Sequence, residues 1–84
     1  MIQVELLHIR ACPHTDSARQ LLKACLQELG LTASIEEHQG AFPSPTIRVN
    51  GEDVMGPPLS PVASCRLDVP THERVLAALR RAMA

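Results

Sequence analysis

At Cys12–Pro13 the spacing of apolar residues changes period, and that change commits the start of the chain to a strand followed by a helix. Before it, Ile2, Val4 and Leu6 alternate with Gln3 and Glu5, and the run to Ile9 then becomes apolar on both faces, the pattern of a buried strand over 2–9. After it, Ala18, Leu21, Leu22, Cys25, Leu26 and Leu29 recur at helical spacing. Arg10 to Cys12 is the turn between the two. Pro13 suits the first helical position, where its missing N–H costs nothing, and Gly30 suits a left-handed cap at the other end.

The spacing predicts a second strand over 31–38, with Leu31, Ala33 and Ile35 on one face. Strand, helix and strand joined by short links make a right-handed βαβ unit. Residues 39–43 form a loop and 45–49 a third strand. Asn50-Gly51 is a hairpin turn signal, so 52–55 returns antiparallel to the third strand. The stretch 56–63, with Pro57, Pro58 and Pro61, is a non-helical excursion, and 64–69 fits neither period. Pro70-Thr71 opens a last helix, with Thr71 as N-cap, Glu73 in the first turn, and Val75, Leu76, Leu79 and Met83 as its buried face. The whole, 1–84, is expected to be a single α/β domain of order βαβ-ββα, with a four-stranded mixed sheet and helices packed on it.

Composition narrows the functions. An 84-residue chain buries only about 60–65% of its unfolded surface. Phe42 is its sole aromatic residue, so the core is aliphatic and the stacking platforms of single-strand nucleic-acid binding are missing. Net charge is −1 and no basic patch stands out, so no polyanion partner is implied. No apolar run approaches the ~20 residues of a membrane span, and the opening Met1-Ile2-Gln3-Val4-Glu5 has no basic leader. The expectation is a cytoplasmic protein, a monomer or weak dimer, with no nucleic-acid or membrane partner. In a reducing compartment its three cysteines are expected to be free, catalytic or metal-binding rather than structural bridges.

Two segments carry a resemblance. Cys12-Pro13-His14-Thr15, after a strand and opening a helix, together with Ser44-Pro45-Thr46 at the start of the third strand, resembles the thioredoxin superfamily, and the Cys-Pro-x-Thr form looks more like glutaredoxins than thioredoxins proper. The stretch Ser44-Pro45-Thr46-Ile47-Arg48-Val49-Asn50-Gly51 also resembles small bacterial thioredoxin-like proteins labelled alkylmercury lyase. The resemblance implies a thioredoxin-like fold whose second helix is missing or reduced, because the loop from His38 to Ser44 is too short for it. It implies a cis bond at Pro45, with the backbone of Ser44 aligning an extended substrate, and Cys12 as the nucleophile of thiol–disulfide exchange. Pro13 and His14 would border the substrate. Thr15 stands where the second cysteine of Cys-x-x-Cys belongs and is placed to hydrogen-bond the thiolate.

A thiol at a helix N-terminus is favoured as thiolate by the macrodipole and unpaired N–H groups, and Arg10 and His14 lie nearby in sequence. The substrate on this reading is a disulfide-containing protein or a glutathione adduct. No bound cofactor is implied, and glutathione would enter only as a co-substrate. Cys65 has several readings: the resolving thiol, half of a soft-metal clamp with Cys12, or, with Asp68 as proton donor, part of an alkylmercury lyase-like site, since Cys65-Arg66-Leu67-Asp68 looks like the cysteine-x-leucine-aspartate segment of organomercurial lyases. It can equally be a small residue packing a loop, and the domain a non-catalytic interaction module. Cys25, on the apolar helix face, reads as structural. His8, His14, His38 and His72 show no zinc-like spacing, and Glu36-Glu37 reads as solvated strand end.

Overall fold

The structure, a computed structural model, describes residues 2–56, 66 and 68–84. The elements in chain order are β1 (Val4–His8), α1 (Thr15–Glu28), β2 (Ile35–Gln39), β3 (Thr46–Val49), β4 (Glu52–Asp53) and α2 (His72–Met83). The four strands form one mixed sheet of order β2-β1-β3-β4. β1 runs parallel to β2, with Val4 beside Ile35, and antiparallel to β3, with Val4 beside Val49 and Leu6 beside Ile47. The α/β class, the mixed four-stranded sheet and the order of elements are as the sequence leads one to expect.

Alternation along β1 decides the layers. Val4 and Leu6, with Ile47 and Val49 beside them, share one core with Ala18, Leu22, Cys25 and Leu26 of α1 and with Val75, Leu76, Ala78 and Leu79 of α2. Both helices therefore cover the same face of the sheet. The other face carries Glu5 and Leu7 of β1, Glu36 and His38 of β2, and Thr46 and Arg48 of β3. Residues 40–45, between β2 and β3, contain no helix.

The helix ends follow local rules. α1 begins two residues later than Pro13 suggests: Thr15 N–H bonds Cys12 O (3.3 Å) in a tight turn, and Ala18 N–H to His14 O (3.0 Å) is the first α-type bond. Pro13 sits in that turn, not in the helix. At the far end Gly30 takes φ +67°, with Leu31 N–H to Leu26 O (2.9 Å) and Gly30 N–H to Gln27 O (3.1 Å), the paired bonds of a Schellman cap. Asn50 and Gly51, at φ +51° and +84°, give the primed turn that a two-residue hairpin needs. Thr71 caps α2 through its hydroxyl, which accepts from Arg74 N–H at 3.3 Å. Thr71→Ala is expected to cost about 1 kcal/mol in chemical denaturation.

Some boundaries differ. β1 lacks residues 2, 3 and 9. β2 begins at Ile35, not at Leu31, because 31–34 pair with no strand; Leu31 and Ala33 pack as half-buried residues at the margin of the core instead. β3 starts at Thr46 and β4 stops at Asp53. Met83, expected on the buried face of α2, is 50% exposed. Ala78, beside Leu79, is buried as well.

Candidate functional site

Ala11, in the turn between β1 and α1, takes φ +61°. A left-handed conformation costs a non-glycine residue about 1–2 kcal/mol, so the turn that delivers Cys12 is strained. Cys12 is 9% exposed and lies three residues ahead of the first residue of α1. Thr15, in the same turn, is 8% exposed, and its buried hydroxyl Oγ1 has no hydrogen-bond partner among the described residues. A buried hydroxyl without a partner costs about 1–3 kcal/mol, so this arrangement is not the one stability alone would favour. Pro13 and His14 are exposed.

The peptide bond between Ser44 and Pro45 is cis, and both residues are buried. Pro45 meets the α1 end of the molecule. It lines a hollow of about 110 Å³ together with His14, Ser17, Ala18, Leu21, Val69 and Pro70. Ser44 Oγ is a second buried hydroxyl with no partner among the described residues. The backbone of Ser44 is the part expected to align an extended substrate; its carbonyl accepts a hydrogen bond from Arg66 N–H at 2.6 Å. That carbonyl is therefore engaged from within the chain.

Arg66 is held where it is by an ion cluster. Its side chain is 3% exposed. Nε and Nη2 donate to the two oxygens of Asp68 (3.0 and 2.7 Å), and Nη1 donates to Asp53 Oδ2 (2.9 Å) and Thr46 Oγ1 (3.0 Å). Thr46 Oγ1 in turn donates to Pro43 O (2.5 Å), and Asp53 Oδ1 accepts from Met55 N–H (2.9 Å). The guanidinium holds the Asp68 carboxyl below the usual carboxylate range. Both Asp68 carboxylate oxygens are taken up by Arg66. Cys65 lies outside the described residues.

Cys25 is fully buried, and its thiol donates to His72 O at the start of α2 (4.0 Å). Burial, with a smaller contribution from Glu28, pushes that thiol up from its ordinary value, so it stays protonated and inert. Beside it, His72 Nε2 meets Glu28 Oε1 at 3.0 Å. Cys25 belongs to the helix–helix contact.

The paired glutamates of β2 part to opposite faces. Glu37 turns to the helix side, where Arg19 binds both its oxygens at 2.7 Å and also holds Asp16; the Arg19 hydrogen bond holds the Glu37 carboxyl low. Glu36 turns to the open face beside Glu5 and His38, and their ligand atoms all lie within 4.8 Å of one another. The sequence offers no sign of this group, because it depends on the parallel register of β1 and β2. Nor do the residue types mark Arg66 as an anchor, because its partners Thr46 and Asp53 lie far from it in the chain.

No protein-family model, curated protein or solved structure matches the chain. The fold defines an α/β protein with a mixed four-stranded sheet and two helices among the described residues. None of its helices is long and apolar enough to cross a membrane.

Proposed function

We propose that this chain is a thioredoxin-like, glutaredoxin-related thiol–disulfide oxidoreductase with Cys12 as nucleophile. The observation that carries the reading is the buried, unpartnered hydroxyl of Thr15 in the turn that presents Cys12 at the start of α1. A hydroxyl kept in reserve there is a donor for a sulfur anion, and the helix N-terminus adds its partial positive charge. The Cys12 thiolate attacks one sulfur of a substrate disulfide. A new S–S bond forms, the old one breaks, and the leaving thiolate takes a proton from solvent. A second thiol then attacks the Cys12 sulfur of the mixed disulfide and releases the substrate as a thiol; the Cys12–Cys65 or Cys12–glutathione disulfide so formed is reduced by glutathione, which leaves as oxidised glutathione and returns Cys12 to the thiol. The hollow between His14 and Pro45 takes the substrate side chain next to the sulfur. Ser44 supports Pro45 from within, since its own carbonyl is engaged.

Thr15→Val tests this with two readouts of opposite sign. Losing an unpartnered buried hydroxyl at nearly constant shape should leave stability unchanged or raise it by up to about 1 kcal/mol. Losing the donor should slow Cys12 alkylation by iodoacetamide at pH 7 about tenfold, since one hydrogen bond to a charged group contributes about 1.5 kcal/mol or more. Unchanged alkylation in a folded variant would remove the role assigned to Thr15. In the wild type, mass spectrometry should find the alkyl group on Cys12 within minutes, with Cys25 unmodified until the chain unfolds.

A further inference from the structure

We propose that Glu5, Glu36 and His38 form a binding site for a divalent first-row metal ion of the zinc class on the sheet face opposite the helices. The donors are two carboxylates and one imidazole, carried by adjacent parallel strands and so fixed by backbone hydrogen bonds rather than by a loop. Glu5 and Glu36 are register partners on β1 and β2, and His38 follows Glu36 by two residues, which returns it to the same face. His38 Nε2 lies 3.7 Å from Glu5 Oε2 and 3.5 Å from Glu36 Oε2. Ligands bound at about 2.1 Å in a tetrahedron stand about 3.4 Å apart, so these separations are already close to the edges of a coordination polyhedron. The metal would need no rearrangement of the strands.

Charge points the same way. Two glutamates directly opposite on neighbouring strands repel, and among the described residues no lysine or arginine forms an ion pair with either of them. Arg48 is the register partner of Glu5 on β3, yet among the described residues the ion pair of Glu5 is with His38 alone. The Glu5 side chain is 16% exposed while those of Glu36 and His38 are 58% and 47% exposed. The site is thus anchored on its inner side and open on its outer side, where water or a further ligand completes the coordination. The mixed nitrogen and oxygen donors suit zinc and its neighbours better than calcium or magnesium, which prefer oxygen alone. This site is independent of Cys12, and thiol chemistry would be unaffected by its loss.

The test is calorimetric titration of the full chain with zinc chloride, supported by cobalt(II) absorption to identify the donors. One equivalent should bind, and the melting temperature should rise with added zinc because the ion binds the folded state. Glu36→Gln and His38→Ala, both at exposed positions, should fold normally and each weaken binding at least about tenfold, a loss of about 1.4 kcal/mol. Cys12→Ser should bind as the wild type does, and bound cobalt should show no thiolate charge-transfer band in the near ultraviolet. The proposal is overturned if no heat is seen up to about 1 mM zinc. It is equally overturned if Cys12→Ser abolishes binding while His38→Ala preserves it.

Discussion

Replacing Arg66 with alanine should lower the free energy of unfolding by about 3 kcal/mol, measured by urea denaturation at pH 7. Removing one member of a buried ion cluster leaves the others without compensation, and that commonly costs 3–5 kcal/mol. The lower end applies here because the carboxylates of Asp53 and Asp68 keep some contact with water, at 13% and 20% exposure. Thr46 Oγ1 also loses its donor. Arg66→Lys, which keeps the charge without the planar fork, should recover only part of the loss, since Asp68 is bound through two parallel bonds. A loss below about 0.5 kcal/mol would mean that the cluster contributes no more than a surface ion pair.

The same cluster sets a pH dependence. The folded-state pKa of Asp68 is depressed, by the Arg66 hydrogen bonds first. A depressed carboxylate contributes stability that is fully present above its unfolded value, about 3.9, and is lost as pH falls through its lower folded value. Wild-type stability should therefore decline on acidification below about pH 4. Arg66→Ala should show a shallower decline in that window, because its Asp68 titrates near the ordinary value. Equal slopes would sink this account of the cluster.

Replacing Cys12 with serine should reduce thiol–disulfide exchange to the rate of buffer alone while leaving the fold intact. Serine nearly matches the volume of cysteine, but its hydroxyl ionises far too weakly to attack a disulfide at neutral pH. The assay is release of glutathione from a glutathionylated peptide, coupled to a reductase. Cys25→Ala is the companion measurement: exchange should persist, and stability should fall by about 1 kcal/mol through the small cavity left between α1 and α2. Full activity in Cys12→Ser would refute the nucleophile assignment outright.

What the sequence reveals is mostly local. The period of α1, the Gly30 cap, the Asn50-Gly51 turn and the Thr71 cap depend on residues within a few positions of one another, and each appears in the structure where those residues stand. The start of β2 does not, because an apolar residue such as Leu31 can satisfy its burial against the core margin without a strand partner. The face of α2 is misread at Met83 because in the last turn it is the neighbouring Ala82 that packs against the core while Met83 turns to solvent. The strand-to-helix turn that carries Cys12, Pro13 and Thr15 is legible, since these residues lie within four positions of one another. The roles of Arg66 toward Ser44, and of Glu5 toward His38, depend on distant parts of the chain meeting, and nothing in the residue types marks those encounters beforehand.

The placement of β1 at the middle of the sheet also governs how the chain reaches its fold. β1 precedes both of its neighbours in the chain, yet Val4 must find Ile35 on one side and Val49 on the other. While the polypeptide is being made, an apolar strand with two open edges waits until α1 and β2 have emerged, and its second edge stays open until β3 follows. Such a strand is the segment most exposed to pairing with another nascent chain. α1 packs over Val4 and Leu6, so it covers the apolar face of β1 while both edges are closed only by β2 and β3.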